Sequence, residues 1–237
     1  MIRLAAAVAV LGMAFTCASE EAADHAAAES SMVSALVEGR HLRLTALRPA
    51  APGDSSRAAA ILAAMRRDLS RYRDIRVAEG DGFRQFIAGG AAPVQHYTKL
   101  RWWLQAKRGL DPSRPSSLLY RKAADGSLEL MGAMFTAPPG LTEDELNERL
   151  PLSVTRWHQH VNWCVPPVRN ARARWAETRD GHPVFGPRSP IATAEACAAV
   201  GGRFRPRVLG WMVHVMSFTG DDPAVIWGAA EHGAHAH

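Results

Sequence analysis

Lysine is nearly missing from this chain. It occurs only at 99, 107 and 122, which leaves arginine to supply the other 25 of 28 basic residues. The arginines are spread evenly, with no run of five; three fall between Arg169 and Arg174 at every-second-or-third spacing. A protein that tracks nucleic-acid phosphates clusters its charge and sets aromatics among it. The formal charge of +5 therefore argues against a nucleic-acid partner rather than for one.

Long apolar runs are missing beyond the extreme N-terminus, which excludes a polytopic membrane protein. Three cysteines in 237 residues are too few for a disulfide-stapled miniprotein. A chain that is 47% hydrophobic and 22% charged is neither mostly disordered nor collagen-like, and its length is ample for a sizeable core. It holds no internal repeat, no dinucleotide glycine fingerprint, no P-loop and no Gly-x-Ser-x-Gly elbow.

What is present begins with an export signal. Arg3 supplies the positive n-region, Leu4–Phe15 the apolar h-region, and Thr16-Cys17-Ala18 a small-residue cleavage site. Residues 1–18 are therefore expected to be a signal peptide. A lipid anchor at Cys17 is the alternative, although Phe15 and Thr16 make a poor lipobox. Residues 19–53 follow as a leader and an edge segment. No transmembrane segment is expected in the mature chain, and its compartment is periplasmic or secreted. Cleavage leaves Cys164 and Cys197, an even pair that in an oxidising compartment predicts one disulfide. The competing reading makes Cys164 a metal thiolate beside a His-x-His.

The periodicities predict an α+β domain over 54–227: an antiparallel β-sheet with packed helices, including one long N-terminal helix. His41–Leu47 alternates as an edge strand. Asp54 or Ser55 can cap the long helix, whose apolar stripe is Ile61, Leu62, Met65, Leu69 and Tyr72. Ser117–Arg121 and Leu128–Thr136 read as a hairpin turning at Ala124-Asp-Gly126, and Thr142-Glu-Asp-Glu145 as a capping box. Ser153 as a cap, Leu152 with Trp157 as a staple, and Pro166-Pro167 as a stop together predict a further helix. Thr193–Val200 is a helical turn, and Val208–Phe218 an apolar strand. The tail 228–237 is expected to be disordered.

Histidine is where chemistry can sit. His232, His235 and His237 fall in the tail, a weak site for a divalent ion. Trp157-His-Gln-His-Val-Asn-Trp-Cys164 is the densest patch elsewhere. On a strand, His158 and His160 share a face and form half of a metal site. On the expected helix they stand about 200° apart and flank the apolar stripe, with Asn162 one turn beyond His158 as an orienting partner. In Gly210-Trp-Met-Val-His-Val-Met-Ser-Phe218, alternation puts Met212, His214 and Met216 on one face and Trp211, Val213 and Val215 on the other. Thioether, imidazole and thioether form a soft set that suits copper(I), although methionine also fills cores. His96 follows a turn and precedes an aromatic run.

These segments carry a resemblance. His96-Tyr97, Pro115-Ser-Ser-Leu-Leu-Tyr120, Leu130-Met-Gly-Ala-Met-Phe-Thr-Ala-Pro138, Pro151-Leu-Ser-Val154, Trp157-His-Gln-His-Val-Asn162, Cys197 with Gly201-Gly202, and Gly210-Trp-Met-Val-His214 are its motifs. With them, most of residues 55–227 resembles an uncharacterised family of exported bacterial proteins. The resemblance implies export and a single domain, and brings no activity or ligand. A looser likeness runs to exported proteins with His-Tyr-x-Asn, Pro-x-x-Leu-Leu-Tyr and Val-Gly-x-Glu-Tyr segments. This chain departs from them with Lys99 in place of Asn and Met134 in place of Glu, so a carboxylate ligand at that strand is absent.

The function expected from the residues is metal binding, of zinc or copper, by His96, His214 and one or both of His158 and His160. Met212, Met216 and Asn162 are secondary candidates. The alternative is a structural or small-ligand-binding module with core histidines, its cleft walled by Trp102, Trp103, Trp157 and Trp211. Whether the protein is an enzyme stays open, since Glu129 and Asp222 are only nearby carboxylates in sequence.

Overall fold

A computed structural model describes residues 40–86, 94–123, 125–167 and 171–228. The expected signal peptide, Cys17, most of the leader and the tail from 229 lie outside the described residues. In chain order the elements are β1 (Leu42–Leu44), α1 (Asp54–Leu69), α2 (Ile75–Gly80), β2 (Arg84–Gln85), β3 (Val94–Thr98), α3 (Leu100–Gln105), β4 (Ser117–Lys122) and β5 (Leu128–Ala137). They continue with α4 (Glu143–Arg149), β6 (His158–Val165), α5 (Ala171–Arg174), β7 (Thr178–Arg179), β8 (His182–Pro183), α6 (Ala194–Ala199), β9 (Arg203–Arg207), β10 (Trp211–Val215) and α7 (Pro223–Ile226). The main sheet runs β1-β6-β10-β5-β4-β3-β2, with β9 also paired to β6. Its pairings are antiparallel, so the fold is an antiparallel sheet with packed helices.

Local signals account for several elements. In α1 the residues Ala58, Met65 and Leu69 are buried, while Ile61 and Leu62 pack against the same core. The helix start differs from expectation: Gly53, at φ 89°, is the N-cap and offers no side-chain bond. That left-handed turn, cheap only for glycine, leaves Asp54 as the first helical residue with its carboxylate aimed backwards. Asp54 Oδ2 accepts from the Ala51 N–H at 3.0 Å and from the Ser153 hydroxyl at 2.7 Å. Strands β4 and β5 pair antiparallel as the expected hairpin, and β5 ends at Ala137, before Pro138. Thr142 and Glu145 close the expected capping box of α4.

The helix expected after Ser153 is a correction: His158–Val165 is strand β6. A helix of this length is marginal by itself, and this segment has two strands waiting for its backbone. β1 pairs Leu42 with His160 and Leu44 with His158, while Met212 of β10 faces His158 from the other side. Val161, Trp163 and Val165 suit a strand, and β9 pairs along them. Ser153 ties to Asp54 instead of capping anything. Strand β10 is shorter than expected. Gly210 passes so close to Ala137 that a Cβ would sit 2.1 Å from its carbonyl oxygen, and beyond Val215 the Met216 N–H donates to Ile226 O.

The sheet separates two apolar layers. Helices α1 and α4 cover one face, where Leu118, Tyr120, Phe135, Trp157, Trp211, Val213 and Val215 are buried. The Tyr120 hydroxyl donates to Tyr72 O at 2.6 Å, and burial holds its pKa well above the usual tyrosine range. Trp157 and Trp211 are 0% and 1% exposed in this layer, so they do not wall a cleft with Trp102 and Trp103. A third cluster surrounds the expected Cys164–Cys197 disulfide, with Val184 and Phe185 buried against it.

Candidate functional site

The candidate chemistry lies on the sheet face opposite α1. Alternation along β10 sends Trp211, Val213 and Val215 to the helix-packed layer, and Met212 and Met216 to a separate cluster with Leu119, Met131 and Met134. His214 lies between those two methionines. Correcting helix to strand then puts His158 and His160 on one face of β6, with ring centroids 5.6 Å apart. The His158 ring lies 5.0 Å from that of His214, and His96 of β3 lies 5.3 Å from His214. The four histidines are between 3% and 9% exposed. Residues separated by up to 118 positions therefore meet in one buried cluster.

That meeting needs a curled sheet. Strands β5 and β4 lie between β10 and β3, so a flat sheet would hold the two histidine backbones about 14 Å apart. Yet His96 Nε2 and His214 Nε2 are 3.4 Å from each other. The side chains reach across because the face is concave. A register shift between Leu119 and Tyr120 supplies part of the bend.

The same bulge explains two residues that the periodicity missed. Met131 and Met134 are three apart and would point to opposite faces of a regular strand. Tyr120 pairs with Leu130 and Leu119 with Gly132, so Met131 is the extra residue and joins Met134 in the same cluster. Nothing in the local pattern announces a bulge there. Trp163, 5.0 Å from the His160 ring, is a further neighbour that the local pattern does not reveal.

The other candidates fall elsewhere. Asn162, in a left-handed conformation at φ 57°, donates to Arg40 O at 3.1 Å. On a strand it sits about 13 Å along from His158 and does not orient that ring. Glu129 accepts from Arg121 at 2.6 Å in an exposed pair, and Asp222 Oδ1 caps α7 through the Ala224 N–H. Neither carboxylate is aimed as a general base. Cys164 is consumed by the disulfide. His41 shows a purely structural imidazole, with Nε2 2.6 Å from Ser189 O.

Two imidazole nitrogens at 3.4 Å can do one of two things. One ring can donate a proton to the other, or both can face a single ion. With zinc–nitrogen bonds of about 2.0–2.1 Å, the edge of a coordination tetrahedron is about 3.3–3.4 Å. Among the described residues, no group of three or more His, Cys, Asp or Glu is placed to hold a metal ion as the side chains stand. Protein-family models, curated proteins and solved structures, searched in turn, return no match for this chain.

Proposed function

We propose that this is an exported metal-binding protein whose site is built on His96 and His214, with His158 and His160 beside them, and whose ion is zinc or copper. The observation that carries the reading is the 3.4 Å separation of the two Nε2 atoms, which matches the ligand–ligand edge of a tetrahedral site. His158 is close enough to His214 to supply a third ligand through a change of rotamer. The disulfide suits an oxidising compartment, and the resemblance to exported bacterial proteins points the same way.

The test is metal analysis and calorimetric titration of untagged protein in which His232, His235 and His237 are replaced by alanine, so that the tail does not contribute. Zinc or copper should bind near one equivalent, and His96→Gln with His214→Gln should abolish it. Absence of any titratable transition metal would end the reading.

A specific observation favours the alternative of a small-ligand-binding module with core histidines. An open cleft of about 250 Å³ lies beside α3, lined by Trp102, Arg108, Arg114, Ser116 and Thr136. In that reading His214→Gln would cost stability and leave binding at the cleft unchanged.

A further inference from the structure

We infer that the site selects copper(I), held by the imidazoles of His214 and His96 together with two thioethers drawn from Met134, Met212 and Met216; this rests on the metal-binding reading above and narrows its ion. Position is the first argument. Met134 is the direct cross-strand partner of His214, while Met212 and Met216 stand two residues to either side of it. Across an antiparallel pair such partners are about 4.5–5.5 Å apart, and same-face neighbours along a strand about 7 Å apart. Methionine side chains, unbranched and flexible, span those distances.

Composition is the second argument. Methionine commonly fills gaps in cores, but then it is spread through them. Here the helix-packed layer has one methionine, Met65, in 22 buried residues, whereas four of the five buried residues in the opposite cluster are methionine. Of the five methionines among the described residues, only Met65 lies away from the histidine face. A face that needed only apolar volume would be filled as its counterpart is, with leucine, valine and aromatics.

Charge is the third. Asp54 is the one buried carboxylate among the described residues, and its oxygens are engaged at the start of α1. Imidazole and thioether ligands are neutral, so the full charge of the ion is carried in a buried, poorly solvated site. The desolvation cost grows with the square of the charge, which disfavours a divalent ion against a monovalent one. Soft sulfur donors favour copper(I) over zinc independently of charge.

The full chain with the three tail histidines replaced by alanine is titrated with copper(I) against a bicinchoninate competitor, with hydroxylamine as reductant to spare the disulfide. Parallel titrations use zinc(II) and copper(II). Copper(I) should bind at least about a hundredfold more tightly than zinc(II), and X-ray absorption of the copper(I)-loaded protein should show sulfur scatterers. Of Met134→Leu, Met212→Leu and Met216→Leu, which conserve volume, two should weaken copper(I) by about tenfold or more. Absorption is measured on the unsubstituted site, so it decides the matter even where a leucine variant misfolds. Zinc and copper(I) bound equally, with nitrogen and oxygen scatterers only, would overturn copper(I) selectivity and leave the metal-binding reading standing. No binding of any of the three ions would overturn both.

Discussion

Met212 on β10 lies directly opposite His158 on β6, and this pairing ties the two halves of the histidine cluster together. Contact with His214 then ranks the four imidazoles. His214 and His96 share the 3.4 Å nitrogen-to-nitrogen approach, the His158 ring packs 5.0 Å from that of His214, and the His160 ring lies 5.6 Å from that of His158. His214→Gln and His96→Gln should each weaken metal binding at least about tenfold, His158→Gln less, and His160→Gln least. Calorimetry on the four variants checks the order, and equal effects at all four would contradict it.

The disulfide joins β6 to α6 across 33 positions. On the chain-entropy estimate, a loop of that size is worth about 3–4 kcal/mol. Cys164→Ser with Cys197→Ser should lower the denaturant midpoint by a corresponding amount. Metal binding should survive wherever the protein remains folded, because the bridge lies beyond the histidine end of β6. Urea titration and a metal titration of the same variant test the two parts separately.

Gly202 is packed against that bridge. A Cβ at this position would sit 2.4 Å from Cys164 Sγ, 2.8 Å from Cys197 Sγ and 2.9 Å from Phe185. The obstacle is a cross-linked pair that cannot swing aside, so Gly202→Ala should destabilise by about 1–3 kcal/mol. If the clash is with the bridge, the loss shrinks in the double serine background. A double-mutant cycle measured by urea denaturation decides this, and full additivity would refute it.

Asp54 links the start of α1 to the turn at Ser153. Its carboxyl is held below the usual value of 3.8, first by the Ala51 N–H and then by the Ser153 hydroxyl, with Arg57 adding to both. A carboxylate whose folded pKa is depressed stabilises above its ordinary pKa and loses that contribution as pH falls through the lowered value. Asp54→Asn should therefore be less stable than the parent at pH 7, with the gap closing below about pH 4. Thermal unfolding of the pair across pH 2–7 shows whether the curves converge. Parallel curves would place the effect in packing rather than charge.

Elements written in short stretches were legible without a structure. The α1 stripe through Met65 and Leu69, the Thr142–Glu145 capping box and the β4–β5 hairpin each depend on residues within a turn or two of one another. The alternation that sends Met212 and His214 away from Trp211 and Val213 is likewise local. The segment after Ser153 departs from its local helix signals because the cap, staple and proline stop are genuine but weak. They were outbid by backbone hydrogen bonds from β1 and β10, more than 50 residues away on either side.

By itself the chain determined which residues alternate, which turns break them and which histidines have chemistry to offer. Only the tertiary structure decided that His96 meets His214 and that Met131 joins Met134. Both depend on the curl and bulge of a sheet, and curvature is a property of how several strands pair rather than of any one of them.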